Sequence, residues 1–325
     1  MTADSSSSGA GPDTPTPGLR QRRPSASAAE TVVSKAKEIE AKVERTLLIL
    51  WDDLPSWRRD NHYILSGYRQ ASNSYLGSAR SLFWLHNESV NIWTHLLGCL
   101  VFPLVGLFLY HIVAPRYPSA TASDVLVFSC FFGGAAVCLG MSATFHTLCN
   151  HSPDVAKWGN KLDYSGIVAL IVGSYVPALY YGLYCMPQLM TVYLYGIFLL
   201  GFGCGVVSWV EKFRTPKWRP YRAMMFVGLG LSGVIPICQS VLIYGYSDLN
   251  RRMGLNWVLF QGFLYIFGAF LYAFRWPERS APGSFDIWGN SHQLFHVLIL
   301  FAAAAHLNGM AKAFDNHHTV MGTQC

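Results

Sequence analysis

Two histidines late in the chain, His292 and His296, lie four residues apart within an apolar stretch. Residues at this spacing share one face of an α-helix, so both imidazoles can reach one metal ion. A third histidine, His146, lies at the end of another apolar stretch. Zinc held by three protein ligands usually keeps a fourth position for water or substrate, as catalytic sites do. The three histidines therefore predict a zinc site of the catalytic type.

Two more polar residues belong to this prediction. Ser142 precedes His146 by four residues and shares its helix face, and Asp163 opens the next apolar stretch. Asp163 can hold or deprotonate a water at the zinc, and Ser142 can bind that water or a substrate carbonyl. The alternative is that the histidines only form hydrogen bonds between helices, and spacing alone does not choose between the two. His95 is the one other histidine that competes for a ligand role.

These residues lie in a chain built largely of apolar runs. Hydrophobic residues make up 52% of the chain. Charged residues make up only 13%, against about 25% in a typical soluble domain. Seven runs of roughly twenty residues are each long enough to cross a bilayer as a helix. The sequence therefore predicts an all-α bundle of seven transmembrane helices. The predicted spans are residues 91–113, 124–148, 161–184, 189–210, 221–244, 255–274 and 290–313.

Basic residues are distributed unevenly among the loops. The connections after the second, fourth and sixth spans, with the adjoining span ends, carry nine lysines and arginines, and the alternate connections carry three. The positive-inside rule then predicts a cytosolic N-terminus and a C-terminus on the outer side. In this orientation His146, Asp163, His292 and His296 lie at one depth, near the cytosolic face. Polar groups inside a membrane are costly, so their convergence indicates a function.

The spans and their flanks divide the chain into four regions. Residues 1–27 are rich in Ser, Pro, Ala and Gly and are predicted to be a disordered tail. Residues 28–84 are predicted to be a helical region in the cytosol or at the interface. Residues 28–50 are predicted to form an amphipathic helix, because apolar residues recur at helical spacing from Val32 to Leu47. Residues 85–315 form the predicted seven-helix domain, and residues 316–325 a short outer tail.

The sequence also argues against several classes of protein. No basic stripe is interleaved with exposed aromatic residues, so no nucleic-acid partner is predicted. The interior of the seventh span has no lysine for a retinal Schiff base, and the predicted orientation is opposite to that of G-protein-coupled receptors. The eight cysteines show no paired spacing, so no disulfide framework is predicted.

Four sequence elements are familiar in combination. They are Glu88-Ser-Val-Asn91-Ile-Trp-Thr-His95, Ser142-Ala-Thr-Phe-His146, Asp163 and Ser291-His292-Gln-Leu-Phe-His296. Together they resemble the signature of the progestin and adipoQ receptor (PAQR) family, also called the haemolysin III-related family. The resemblance covers about residues 50–315, and no element departs from the family pattern. Within the family, the chain is most similar to the adiponectin receptors and their fungal zinc-homeostasis relatives.

The resemblance implies a zinc ion bound by His146, His292 and His296, with Asp163 acting through a water. It also implies a cytosolic N-terminus, in agreement with the loop charges. Some family members look like ceramide amidases, which implies zinc-dependent hydrolysis of a lipid amide, with Ser142 helping to hold the developing oxyanion. The implied partners are a ceramide-like membrane lipid, as substrate or ligand, and an extracellular protein ligand.

Two other functions stand beside the hydrolase. One is a signalling receptor in which zinc is only structural. The other is a transporter or proton channel, which is disfavoured because the polar residues gather at one depth instead of lining a path. The sequence leaves open which membrane holds the chain, whether plasma membrane or endomembrane, and whether the chain forms oligomers.

Overall fold

The computed structural model describes residues 33–35, 48–321 and 325. Within these residues, seven helical segments are long and apolar enough to cross a membrane. The prediction of an all-α seven-helix bundle is confirmed. The helices are α1 (Tyr75–Arg80), α2 (Ser89–Phe108), α3 (Ala122–Leu148), α4 (Pro153–Gly182), α5 (Pro187–Trp209), α6 (Arg219–Leu231), α7 (Val234–Tyr244), α8 (Tyr246–Met253), α9 (Leu255–Phe274) and α10 (Ser291–Asn316), and the strands are β1 (Leu48–Ile49) and β2 (Tyr68–Arg69).

Three of the seven spans combine more than one helical segment. In the first span, α2 continues through a π-helical turn at Leu109–Val113. In the fifth span, α6 and α7 follow one another with a break of two residues between Leu231 and Val234. In the seventh span, α10 continues into a π-helical turn at His317–Met321. The seventh span therefore extends into the predicted outer tail.

The third span starts earlier than the sequence predicts. Because Ser152 is extended and proline suits the first helical turn, α4 begins at Pro153. Asp163, predicted in the first turn, therefore lies about three turns into the helix. The added turns are polar. Lys157 in these turns and Lys161 at the predicted start of the span pair with Glu211 at 2.9 and 2.7 Å. These charged residues extend the helix beyond its apolar run instead of ending it.

The close packing of α3 on α4 depends on glycine. A Cβ atom at Gly134 would lie 2.6 Å from the carbonyl oxygen of Ala169, and one at Gly166 would lie 2.8 Å from the Cα atom of Cys138. Contacts this short with backbone atoms cannot be relieved by turning a side chain. Glycine is therefore required where the two helix backbones approach each other. The same approach brings the polar residues of α3 and α4 together.

Residues 48–84, which precede the first span, fold onto the bundle. β1 pairs with β2 in antiparallel register. A small apolar core under the strands consists of Leu54, Ile64 and Tyr68. The Asn61 amide donates a hydrogen bond to Glu278 at 3.0 Å, and the Ser66 hydroxyl donates one to Asp286 at 2.6 Å. Both carboxylates belong to the loop between α9 and α10, so this segment contacts the start of the seventh span.

Several predictions for the N-terminal region fall on residues that the structure does not describe. The tail of residues 1–27 lies outside the described residues. Of the predicted amphipathic helix, residues 33–35 are described and are helical, whereas Leu48 and Ile49 at its end form β1. Within the predicted helical region, residues 48–84 contain short helical turns, the helix α1 and the two strands.

A disulfide joins Cys185 to Cys325 across 140 residues of sequence. The sequence predicts no disulfide, and this is wrong for the pair, because so large a separation leaves no local spacing signal. Cys185 lies between α4 and α5, which is the outer side in the predicted orientation. Disulfides persist in oxidising compartments, so the bond agrees with that orientation.

Candidate metal centre

The first turn of α10, which carries His292, is fixed by a buried carboxylate. Glu278 is fully shielded from solvent. Its Oε2 atom accepts a hydrogen bond from the Ser291 backbone N–H at 2.7 Å, and its Oε1 atom accepts one from the Ser291 hydroxyl. A negative charge at a helix N-terminus is stabilised by the free N–H groups and the helix dipole. Glu278 therefore sets where the helix begins, and with it the position of His292.

The last turn of α3, which carries His146, is held by a buried arginine. Arg69 is 2% exposed. Its guanidinium donates hydrogen bonds to the carbonyl oxygens of His146 at 2.6 Å and Thr147 at 2.9 Å. Carbonyls in the last turn of a helix lack partners within the helix, and a cation there is favourable. Arg69 therefore fixes the turn from which His146 projects.

The structure brings the three predicted metal ligands together. One nitrogen each from His146, His292 and His296 lies within 4.8 Å of the other two. The ring centroids are 5.0 Å apart for His146 and His292, and 4.8 Å apart for each of the other two pairs. The ring of His146 is inclined by 75° to the ring of His292 and by 76° to the ring of His296, so it packs against both in a T-shaped arrangement.

Two of the histidines are oriented through their Nδ1 atoms. Nδ1 of His146 lies 2.7 Å from Oε2 of Glu88, and Nδ1 of His296 lies 3.2 Å from the backbone oxygen of Asn91. In metal-binding histidines, such contacts fix the tautomer that leaves Nε2 as the ligand atom. Nε2 of His146 is buried and makes no hydrogen bond with the described residues. This donor set of three imidazole nitrogens fits zinc.

The predicted catalytic pair lies beside this cluster. The Ser142 hydroxyl and the His146 ring both lie close enough to the Asp163 carboxylate to interact with it. Ser142 is 2% exposed. Both residues and His292 line the same cavity. The structure therefore brings together all five residues that the sequence selects.

That cavity has a volume of about 420 Å³ and runs between α4, α6, α7 and α9. Ser142, Asp163 and His292 line one end of the cavity, and Leu183 and Met253 line the opposite end. Most side chains between the two ends are apolar. A cavity of this shape suits an alkyl chain whose polar end lies at the histidines.

Some residues of the centre were not assigned a role from the sequence. Glu88 and Asn91 appear there only as parts of a motif, yet their oxygens orient two of the histidines. Arg69 and Glu278 carried no local signal, because each acts on a helix far from it in sequence. His95, the competing ligand, lies outside the converging nitrogens, and its ring stacks on that of His296 with centroids 3.7 Å apart.

The chain matches a known family model and several known proteins. The family model Haemolysin-III related matches residues 83–307, which include every residue of the cluster. The ADIPOR-like receptor IZH2 of Saccharomyces cerevisiae is 44% identical over 300 residues, covering 90% of this chain and 92% of that protein. The adiponectin receptor protein of Drosophila melanogaster is 45% identical over 275 residues, covering 85% of this chain and 61% of that protein.

A third relative gives the same result. The progestin and adipoQ receptor-like protein 1 of Caenorhabditis elegans is 41% identical over 281 residues, covering 86% of this chain and 63% of that protein. This chain therefore spans less than two thirds of the fly and worm proteins and nearly the whole length of the yeast protein.

Proposed function

The chain belongs to the haemolysin-III related family of multi-pass membrane proteins, and on that premise we propose that it is a zinc-dependent hydrolase of lipid amides. One observation carries the proposal: three histidine nitrogens converge beside the interacting side chains of Ser142 and Asp163 at the end of an apolar cavity. A purely structural zinc site needs neither the pair nor the cavity. Structural zinc usually has four protein ligands, whereas this cluster offers three.

Each side chain of the site has its own role in the proposed hydrolysis. His146, His292 and His296 hold the ion, and Glu88 keeps His146 in the tautomer that binds. A bound zinc ion supplies a Lewis acid that polarises the amide carbonyl and makes a water acidic enough to attack near neutral pH. Asp163 accepts the proton of that water and passes it to the leaving amine. Ser142, already paired with Asp163, turns its hydroxyl to the carbonyl oxygen as negative charge develops there.

The cavity supports a lipid as the substrate. Its walls are apolar over most of their length, and its polar residues gather at the end near the histidines. An amide placed beside the zinc ligands leaves room for an alkyl chain in the rest of the cavity. We therefore propose an N-acyl lipid of the ceramide class, cleaved to a fatty acid and a sphingoid base.

A second candidate function is a receptor in which zinc only stabilises the bundle. The observation that favours it is Glu278, which contacts both Asn61 in the segment before the first span and Ser291 at the start of α10. This carboxylate can transmit a change in the bundle to the surface that is cytosolic in the predicted orientation. The fly and worm relatives are named as receptors or receptor-like, which agrees with this alternative.

Metal analysis and hydrolysis, measured on the same purified protein, test the proposal. Wild type should contain one equivalent of zinc, and a His292→Ala, His296→Ala double variant should contain none. Zinc-loaded wild type should release fatty acid from ceramide. Asp163→Asn should keep the zinc and lose hydrolysis, whereas Asp154→Asn, a matched change at an exposed position of the same helix, should keep both.

The outcomes separate the two functions. Wild type that contains no zinc would refute both of them. Wild type that contains zinc but releases no fatty acid would refute the hydrolase and leave the receptor. A cellular response that persists in Asp163→Asn, after hydrolysis is lost, would show that signalling does not need the released products.

A further inference from the structure

His95 is a buried imidazole at the edge of the cavity. It lies on α2, is 3% exposed and lines the cavity near Ser142 and His292. Neither Nδ1 nor Nε2 of His95 makes a hydrogen bond of ordinary geometry with any described residue. A buried polar group left unpaired costs about 1–3 kcal/mol, so such groups in native proteins call for an explanation.

The geometry argues against a metal-ligand role for His95. Among the described residues, the nitrogens that converge on one point come from the other three histidines. The His95 ring instead stacks nearly parallel on His296, at 14° and 3.7 Å between centroids. A stacked ring presents its nitrogens at its edge, alongside the cluster instead of toward its centre. The stack also holds the ring in one orientation, so its edge is a fixed feature of the cavity wall.

The chemistry of this edge selects a hydroxyl group. A neutral imidazole offers one N–H donor and one nitrogen acceptor. A hydroxyl group donates and accepts, so it can pair with either nitrogen whichever tautomer is present. The carboxyl groups of Asp163 and Glu88 lie in the same region and offset the charge of a zinc ion held by the cluster. An uncharged hydroxyl group therefore fits beside His95 without adding charge to the site.

We propose that His95 binds a hydroxyl group on the polar head of the lipid that occupies the cavity. This inference deepens the hydrolase proposal and rests on it for placing the amide at the histidine cluster. A hydroxyl next to the amide would then lie against His95 while the alkyl chain fills the apolar part of the cavity. His95 thus selects hydroxylated lipid amides over otherwise identical lipids that lack the hydroxyl.

Equilibrium binding tests this selection without requiring turnover. The full chain is purified in zinc-loaded form. Its affinity is measured for a ceramide and for two analogues, each lacking one hydroxyl of the sphingoid base. Wild type should bind the ceramide about two- to tenfold more tightly than one of the analogues, as one hydrogen bond predicts. His95→Phe keeps the stacked ring and should lose this preference, while its affinity for that analogue and its zinc content stay unchanged.

Two further variants make the test specific. His95→Gln restores a donor and an acceptor and should recover part of the preference, which covers the case in which His95→Phe does not fold. Tyr265→Phe removes a hydroxyl group from the same cavity and should keep the full preference. Tyr265 lies about 10 Å along α9 from Tyr272, whose ring contacts His292, so it is far from the cluster.

Three results would overturn the inference. Wild type with equal affinity for all three lipids would show no hydroxyl selection. Loss of zinc in His95→Phe would show that His95 is a metal ligand. An equal loss of affinity for all three lipids in His95→Phe would show that His95 only packs against the lipid. A preference that depends on His95, in a wild type that releases no fatty acid, would refute the hydrolase and keep this inference.

Discussion

Nδ1 of His146 lies 2.7 Å from Oε2 of Glu88, across 58 residues of sequence. The same Oε2 atom accepts a hydrogen bond from the Asn91 amide at 2.7 Å. Asn91 in turn places its backbone oxygen 3.2 Å from Nδ1 of His296. The start of α2 therefore orients histidines from two other helices, although it supplies no residue to the converging set itself.

Glu88→Gln should weaken zinc binding about 10- to 100-fold, the usual cost of losing an outer partner of a ligand. Glutamine keeps the size of the side chain but removes the charge that strengthens the contact with His146. A titration against a competing chelator measures the affinity. Glu211→Gln is the matched control, because Glu211 is exposed and pairs with Lys157 and Lys161 of α4 instead of with a histidine of the cluster. Equal affinities in both variants would show that Glu88 does not orient the ligand.

Gly166→Ala should destabilise the protein by about 1–3 kcal/mol, as overpacking in a tight interior does. The added methyl group would lie 2.8 Å from the Cα atom of Cys138, so α3 and α4 must move apart. Cys138 precedes Ser142 by one turn of α3, and Gly166 follows Asp163 by about one turn of α4. The change should therefore also loosen the Ser142–Asp163 contact and lower hydrolysis in the fraction that remains folded.

Thermal melting in detergent measures the effect of this substitution. Gly203→Ala on α5 is the control, because no described atom lies within 4 Å of a Cβ atom at that position. Its melting temperature should stay at or slightly above that of wild type. A Gly166→Ala variant as stable as this control would contradict the required closeness of α3 and α4.

The sequence was informative where a signal lies within one element. Each span is a continuous apolar run, so its presence follows from length and composition. His292 and His296 share a helix face by spacing, and so do Ser142 and His146. The loop charges predict that these helix ends lie at one depth. The histidine cluster could therefore be predicted before any contact was known.

The contacts that the sequence did not predict join residues far apart along the chain. Arg69 acts on α3 from β2, Glu278 reaches both Asn61 and α10, and Cys185 bonds to Cys325. No periodicity within one segment reports such pairs. The start of α4 was misplaced for a different reason: charged residues in its first turns look like a loop, although they are solvated or paired outside the apolar run.

Labelling of Cys325 should test both the disulfide and the predicted orientation. In Cys185→Ser the partner thiol becomes free, so a membrane-impermeant maleimide should label Cys325 in intact cells. Wild type should be labelled there only after reduction. Cys238→Ser, which changes a cysteine outside the bond, should behave as wild type. For protein shown to be at the cell surface, labelling of Cys325 that requires permeabilised cells would place the C-terminus in the cytosol and reverse the orientation.

His86 should make stability fall at acidic pH. This residue lies just before α2, is fully shielded from solvent, and its Nδ1 accepts a hydrogen bond from the Glu88 backbone N–H at 3.1 Å. Burial, helped by the charge of Arg69, lowers the pKa of His86 from 6.5 to about 3. Below a pH of about 6.5 the unfolded chain therefore binds a proton that the folded chain does not bind. Above that pH, His86 is neutral in both states and does not lower the free energy of unfolding. As the pH falls toward 3, protonation of His86 in the unfolded chain lowers the free energy of unfolding progressively.

His86→Gln removes the titrating group and should flatten this dependence. Melting temperature measured from about pH 7 to about pH 5 should fall more steeply in wild type than in the variant. Protons also compete with zinc for the histidine cluster, but they do so in both proteins, so the difference between the two slopes isolates His86. His62→Gln, at an exposed histidine, should keep the wild-type slope. If His86→Gln and wild type lose stability in parallel, His86 is protonated in the folded protein as readily as in the unfolded chain.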